Sequence, residues 1–292
     1  DICTSALPEQ TRRVFAGYPV IDTGLKHGTI TVLVDGAPLE ITTFRTDGDY
    51  QDNRRPSSVT FVPNIQEDLA RRDFTINAMA YSPASGLIDC FDGEADLRAG
   101  VLRSVGNPEQ RFKEDGLRIL RALRFAARLG FAIAPELSAA IHHNKMLLSN
   151  ISAERINNEL TGLLLGEAVR GILLEYPDVL AVFMPEIQPM FGFKQNNRSH
   201  QYDVWRHTAE SVAAVPPHKV LRLAMLLHDI GKPACHSTGP DGTDHFYGHP
   251  EKSAEIAETI LRRLRFDNYT RYTVVELVRV HDVEITPKTV AK

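Results

Sequence analysis

The stretch Glu114-Asp115-Gly116-Leu117-Arg118-Ile119-Leu120-Arg121-Ala122-Leu123-Arg124-Phe125-Ala126-Ala127-Arg128 decides how the chain is read. At helical period Glu114, Arg118, Arg121, Arg124 and Arg128 fall on one face, with Leu120, Leu123, Ala126 and Ala127 on the other. The pattern predicts one helix, apolar inward and cationic outward. In its first turn Arg118 stands between Glu114 and Asp115, a forked donor between two acceptors, and such groups read a nucleobase edge. A solvated helix laced by i,i+4 ion pairs accounts for the same residues. The rest of the chain separates the two readings.

Around this helix the charge is local. The formal net charge of the 292 residues is −4, yet Arg98 to Arg128 holds eight Lys/Arg against three Asp/Glu. Arg54-Arg55 and Arg71-Arg72 add basic pairs. A basic stripe on an acidic protein predicts a confined polyanion site, not a general coat. The length allows two or three domains with cores of their own, and 43% hydrophobic with 24% charged residues is ordinary for a globular chain. No apolar run approaches the roughly 20 residues of a membrane span. No basic-then-apolar leader stands at the start, so a cytoplasmic protein is expected. Cys3, Cys90 and Cys235 are sparse and odd in number, which fits a reducing compartment.

Upstream, Thr29–Val34, Asp35-Gly36-Ala37-Pro38 and Leu39–Phe44 read as two strands joined by a turn. Glu40 sits mid-strand, sharing a face with Thr42 and Phe44. Thr46 to Pro56 reads as a polar, mobile loop and about Ile65 to Met79 as a helix; Ile88–Phe91 and Leu102–Val105 read as short extended pieces. From Pro108 onward amphipathic helices follow one another, with Pro185 to Arg198 as a linker.

Within the helix from Ile65, Arg71-Arg72-Asp73-Phe74-Thr75-Ile76-Asn77-Ala78 puts two bidentate cations beside an Asp and an Asn, and arginine suits triphosphate clamping. Together with Glu114-Asp115-Gly116-Leu117-Arg118-Ile119-Leu120-Arg121, this run resembles the class II tRNA nucleotidyltransferases, the bacterial CCA-adding enzymes and poly(A) polymerases. The resemblance covers most of the chain. It implies that Glu114, Asp115 and Arg118 pair with the Watson–Crick edge of CTP or ATP. Arg72, Asp73, Asn77 and Arg121 would hold the rest of the nucleotide, Asp73 helping to tell ribose from deoxyribose. Arg124 and Arg128 would contact RNA phosphates or brace the neck, and Thr46 to Pro63 matches the family's flexible loop. In that family an Asp-x-Asp pair on an early strand holds two Mg²⁺ ions. Asp1-Ile2-Cys3-Thr4-Ser5-Ala6 matches this run from the second Asp onward. Asp1 and Glu40 are therefore the candidate catalytic carboxylates, and a chain starting at Asp1 is expected to transfer nucleotides poorly or not at all.

The last hundred residues carry Tyr202 to Thr208 around His207, then Leu226-Leu227-His228-Asp229-Ile230-Gly231-Lys232, His249-Pro250 and Val280-His281-Asp282. An adjacent His-Asp at the end of an apolar helix needs a partner, and imidazole with carboxylate suits a divalent metal such as Mg²⁺, Mn²⁺ or Ni²⁺. These elements resemble the HD superfamily of metal-dependent phosphohydrolases. The resemblance implies His207, His228, Asp229 and Asp282 as core ligands, with His249 and His281 completing a second position. A degenerate HD fold kept as an RNA scaffold is the rival. His142, His143, His218, His236 and His245 do not match the pattern and are expected at surfaces or caps.

Together the resemblances imply an α+β protein. A small mixed β-sheet nucleotidyltransferase head (polymerase-β-like palm, 1–107) precedes an all-α neck (108–190) and an all-α HD domain (191–292). The expected function is addition of C and A from CTP and ATP to the tRNA 3′ end. The alternatives are an A-adding or poly(A) sibling, an HD phosphatase or 2′,3′-cyclic phosphodiesterase, and a non-catalytic RNA-binding module.

Overall fold

The computed structural model describes residues 2–48, 50–51, 55–56, 58–196 and 201–283. Asp1 lies outside them. The chain divides into two compact units, Asp1–Arg118 with Ile133–Ala140, and Ile119–Ala132 with Ile141–Lys292.

The first unit is built on four strands, β1 (Ile2–Thr4), β2 (Val20–Gly24), β3 (Thr29–Val34) and β4 (Ala37–Thr43), in the order β1-β4-β3-β2. β1 runs parallel to β4 with Cys3 opposite Thr42, and β3 runs antiparallel to β4 with Thr31 opposite Glu40. The expected hairpin is present. Its turn places Asp35 and Gly36 at φ 49° and 81°, the two positive angles that a two-residue hairpin requires and that Asp and Gly tolerate best. Ile30, Val32 and Ile41 are buried on one face against Phe15, Val20 and Val34. The long polar loop is not a plain loop: β5 (Arg45–Asp47) pairs antiparallel with β8 (Val59–Phe61), and β6 (Tyr50–Gln51) with β7 (Arg55–Pro56). β-branched Thr46, Val59 and Thr60 favour the extended form despite their polar neighbours.

The helix expected from Ile65 to Met79 stops early. Following α1 (Pro8–Val14), α2 spans Ile65–Ala70 and is capped by Asn64, whose Oδ1 accepts from the Gln66 N–H at 2.9 Å. Beyond it the Asp73 carboxylate takes the Phe74 N–H at 2.9 Å, and the Thr75 N–H donates to the Arg103 carbonyl at 3.0 Å. Those amides are lost to the helix. A single 3₁₀ turn, Thr75–Asn77, leads into β9 (Met79–Ser82), which pairs with β10 (Gly86–Asp89). α3 (Gly93–Ala99), β11 (Val101–Leu102) and α4 (Pro108–Glu114) follow.

The decisive helix is also broken. α4 ends at Glu114, Asp115 is extended (φ −140°, ψ 104°), and α5 runs from Leu117 to Leu129. The reason is local: the Asp115 carboxylate accepts the Leu117 N–H at 3.1 Å, starting a new helix instead of continuing the old one.

In the second unit the apolar face of α5, Leu120, Leu123, Ala126 and Ala127 with Ile119 and Ala122, is buried as its periodicity requires. A Cβ on Gly166 would stand 2.4 Å from the Ala127 carbonyl oxygen, so the chain passes there only as glycine. After β12 (Ala132–Ile133) and α6 (Pro135–Asn144), α7 (Ala153–Leu164), α8 (Val169–Glu175) and α9 (Pro177–Leu180) continue the helical array. The first part of the linker expected over Pro185 to Arg198 is instead a 3₁₀ helix, Pro185–Met190, with Ile187 and Met190 fully buried; its two prolines suit a 3₁₀ turn and its apolar residues anchor it, while residues 197–198 lie outside the described ones. The last part comprises α10 (Val204–Ala214), α11 (Lys219–Leu227), a short hairpin β13 (Ser237–Thr238) and β14 (Asp244–His245), then α12 (His249–Arg263) and α13 (Asn268–Val280). Among the described residues no helix is long and apolar enough to cross a membrane.

Candidate functional site

In the first unit the two expected nucleotide motifs meet. Arg118, 9% exposed, donates Nη1 to Glu114 Oε2 at 2.7 Å and Nη2 to the Arg71 carbonyl at 3.1 Å. Arg111 reinforces the arrangement, reaching Glu114 Oε2 at 2.8 Å and the Ala70 carbonyl at 2.8 Å. Residues of α4 and α5 thus fasten the end of α2, where unsatisfied helix carbonyls face out. Glu114 and Arg118 keep their contact across the helix break, and Asp115 turns its carboxylate to capping. Asp73 accepts from Asn77 Nδ2 at 3.2 Å, which places those two predicted residues side by side.

Asp68 is the residue that the sequence reading missed. It is 1% exposed and binds Arg71 Nη2 at 2.7 Å, Arg72 Nη2 at 3.3 Å and the Arg45 N–H at 3.2 Å. Its signal was an acid three and four residues before an arginine pair on one helix. Of the other expected residues, Glu40 is exposed on β4. Arg121 lies 5.6 Å from the Phe125 ring centroid. Arg124 is held by Glu159 at 2.5 Å and lies over the Phe125 ring, while Arg128 is exposed at the end of α5.

The second unit gathers its ligands around Asp229. His207 comes from α10, His228 and Asp229 follow α11, His249 opens α12, and His281 ends α13. Asp229 Oδ2 is 3.2 Å from His228 Nε2 and 3.5 Å from His207 Nε2; its Oδ1 is 3.3 Å from His249 Nε2 and 3.5 Å from His281 Nε2. The donors form two groups that share this carboxylate, His207–His228–Asp229 and Asp229–His249–His281. Two ligand atoms each about 2.1 Å from one ion stand about 3.0–3.4 Å apart at octahedral to tetrahedral angles, close to the spacing seen. Asp282, expected as a core ligand, is exposed, with Oδ2 3.8 Å from His249 Nε2.

The protons favour a metal. His228, His249 and His281 each donate Nδ1–H to a carbonyl three residues earlier, of Met225, Phe246 and Val278, at 2.7, 2.9 and 2.7 Å. A carbonyl can only accept, so in the neutral ring Nε2 carries the lone pair that faces Asp229. Burial by itself would raise the Asp229 carboxyl. Protonated at Nε2 as well, His228, His249 and His281 hold it below the usual carboxylate range and His281 is itself raised, whereas neutral rings leave that positive charge to be supplied by a cation. Lys232 Nζ stands 2.8 Å from Oδ2, yet among the described residues neither carboxylate oxygen receives a well-directed hydrogen bond. A buried anion facing imidazole lone pairs fits a divalent cation. The histidines expected at surfaces or caps lie outside this ligand group, His143 being exposed on α6. His218 is an N-cap, His142 pairs with Asp178, His236 pairs with Asp244, and His245 stacks on Tyr247.

Residues 1–103 match the poly A polymerase head domain, 130–191 the probable RNA- and SrmB-binding site of polymerase A, and 198–288 the HD domain. The chain is 48% identical over 199 residues to a CCA-adding enzyme of Lactobacillus delbrueckii subsp. bulgaricus, covering 68% of this chain and 49% of that one. It is 48% identical over 186 residues to the CCA-adding enzyme of Geobacillus stearothermophilus, 63% of this chain and 46% of that one. The chain therefore spans about half the length of the curated relatives it matches. Its fold superposes on the crystal structure of the Bacillus stearothermophilus CCA-adding enzyme in complex with CTP with a TM-score of 0.60 and 31% identity, over 98% of this chain and 70% of that one. Two motif-bearing units, three matching domain models and these relatives converge: the chain belongs to the tRNA nucleotidyltransferase family of CCA-adding enzymes and poly(A) polymerases, with an HD domain.

Proposed function

We propose that the protein is a cytoplasmic CCA-adding enzyme that extends the tRNA 3′ end with C and A taken from CTP and ATP. The observation that carries this reading is the Glu114–Arg118 pair anchored on the Arg71 carbonyl beside Arg72 and Asp73. Cytosine and adenine each present an exocyclic amine donor next to a ring-nitrogen acceptor; guanine and uracil present a carbonyl next to a ring N–H. A carboxylate beside a guanidinium matches the first pattern and opposes the second. In this reading Glu114, Asp115 and Arg118 choose the base, Arg72, Asp73, Asn77 and Arg121 position ribose and phosphates, and Arg124 and Arg128 meet the RNA. Asp1 and Glu40 are the carboxylates that would hold Mg²⁺, which when bound would supply charge neutralisation at a phosphate. The residues 1–107, 108–190 and 191–292 serve as head, neck and HD domain. The test measures binding of each labelled nucleoside triphosphate in the presence of tRNA lacking its CCA end. Arg118→Ala is expected to reduce the preference for CTP and ATP over GTP and UTP about tenfold; unchanged preference would refute the base-reading role.

The HD unit is assigned a metal-dependent phosphohydrolase activity, supported by the shared Asp229 and the fixed ring tautomers. His207, His228, Asp229, His249, His281 and Asp282 are the residues assigned to hold Mg²⁺, Mn²⁺ or Ni²⁺, which supplies Lewis acidity and an activated water. Lys232 lies against the same carboxylate and fixes its position. His228→Ala should remove this activity and spare nucleoside triphosphate binding. A variant losing both would contradict two separate centres.

A further inference from the structure

Glu114 is the last residue of α4, a helix of seven residues that is bounded by a joint at each end. Gly106 at φ 67° turns the chain before it, and extended Asp115 follows it. Continuity with a longer helix therefore does not set its direction; its side chains do. Phe112, 1% exposed, anchors α4 in the core, but apolar burial carries no direction. Arg111 supplies the direction, because a planar guanidinium fixes the acceptors it meets.

That guanidinium donates to three segments at once. Nε reaches the Val105 carbonyl at 3.1 Å, Nη2 the Ala70 carbonyl at 2.8 Å and Nη1 Glu114 Oε2 at 2.8 Å. The two carbonyls bracket the Arg71-Arg72-Asp73 run: Ala70 immediately precedes it, and the Val105 N–H donates to the Asp73 carbonyl at 3.1 Å. One planar fork thus sets the separation between the residues assigned to ribose and phosphates and the carboxylate assigned to the base. Glu114 Oε2 also receives Arg118 Nη1 at 2.7 Å, and the same Nη1 donates to the Arg111 carbonyl at 3.3 Å. Both members of the base-reading pair are fastened to Arg111.

We propose that Arg111 is a positioning residue for base selection: it acts through Glu114 and Arg118, holding their pair at a fixed reach from Arg72 and Asp73. The proposal rests on the base-reading role given to that pair above. Lysine keeps the charge, but its donors share one nitrogen and cannot span acceptors on three segments. The test measures the affinities of CTP, ATP, GTP and UTP for the full chain, with tRNA lacking its CCA end, in the wild type, Arg111→Lys, Arg118→Ala and the double variant. Arg111→Lys should weaken CTP and ATP about fivefold and leave GTP and UTP within about twofold. The double variant should match Arg118→Ala, because both substitutions remove one and the same device. Arg111→Gln, a second variant should Arg111→Lys fail to fold, should lower the same preference. An equal loss for all four nucleotides overturns the positioning role, as does no loss or full additivity in the double variant; base reading then still stands on Arg118→Ala. An unchanged preference in Arg118→Ala overturns both.

Discussion

Asp68 in the first unit and Asp229 in the second are each 1% exposed, and each is surrounded by nitrogen donors. Around Asp68 the partners are Arg71 and Arg72, permanently charged and at hydrogen-bond distance, with the Arg45 amide completing the set. Around Asp229 they are the Lys232 ammonium at 2.8 Å and four imidazoles at 3.2 to 3.5 Å, three with their protons already given to main-chain carbonyls. The first carboxylate is saturated and positions other side chains. The second retains its coordinating capacity, and a buried anion in that condition reads as a ligand site. Burial alone does not separate the two; the location of the protons does.

The largest test of this contrast is Asp68→Asn. It leaves Arg71 and Arg72 without their buried counter-ion and should cost about 3 kcal/mol in urea unfolding, the same with or without divalent metal. A metal-dependent loss would break the distinction. Asp229→Asn should add a metal-dependent part. In chelator it leaves the buried Lys232 without its counter-ion and is expected to destabilise. With Mn²⁺ at about 100 times its Kd, the wild type should gain about 2.7 kcal/mol and the variant nothing, read as a shift in melting temperature.

A smaller effect concerns acid. Asp244 is held below the usual carboxylate range by the Asn196 N–H first, then by His236 and Thr238. A depressed folded-state value means that its contribution is full above about pH 4, the unfolded value, and is lost as pH falls through the folded value. Protection of the Asn196 amide, relative to its intrinsic exchange rate at each pH, should therefore fall on acidification, and Asp244→Asn should abolish that dependence. The smallest effect is expected at Arg98–Glu94, 2.6 Å apart but well exposed. Arg98→Ala should change stability by under about 0.5 kcal/mol despite a shorter contact than any around Asp68.

The sequence disclosed the parts governed by short-range rules. The Asp35-Gly36 turn carries its own angle requirement, and the His-Asp elements carry their own chemistry. It concealed the breaks. Apolar periodicity runs through Asp115-Gly116, and only the competition of the Asp115 side chain for a main-chain amide ends α4. The Ile65 helix fails for the same reason at Asp73, helped by the Arg103 carbonyl, 28 positions beyond Thr75, which no local pattern reveals. Asp68 was hidden by position: acids near arginines are common on solvated helices, and only burial marks this one.

The three Nδ1–carbonyl bonds bear on assembly. Each joins a ring to the carbonyl three residues before it, within one turn of chain, so the direction of each ligand is set before any neighbouring helix arrives. The helices bring their imidazoles to the centre already aimed, and packing α11, α12 and α13 together is at the same time the construction of the site. Forming the centre therefore needs no rearrangement of its own: it matures when the core does, and its loss should accompany helix separation and not precede it.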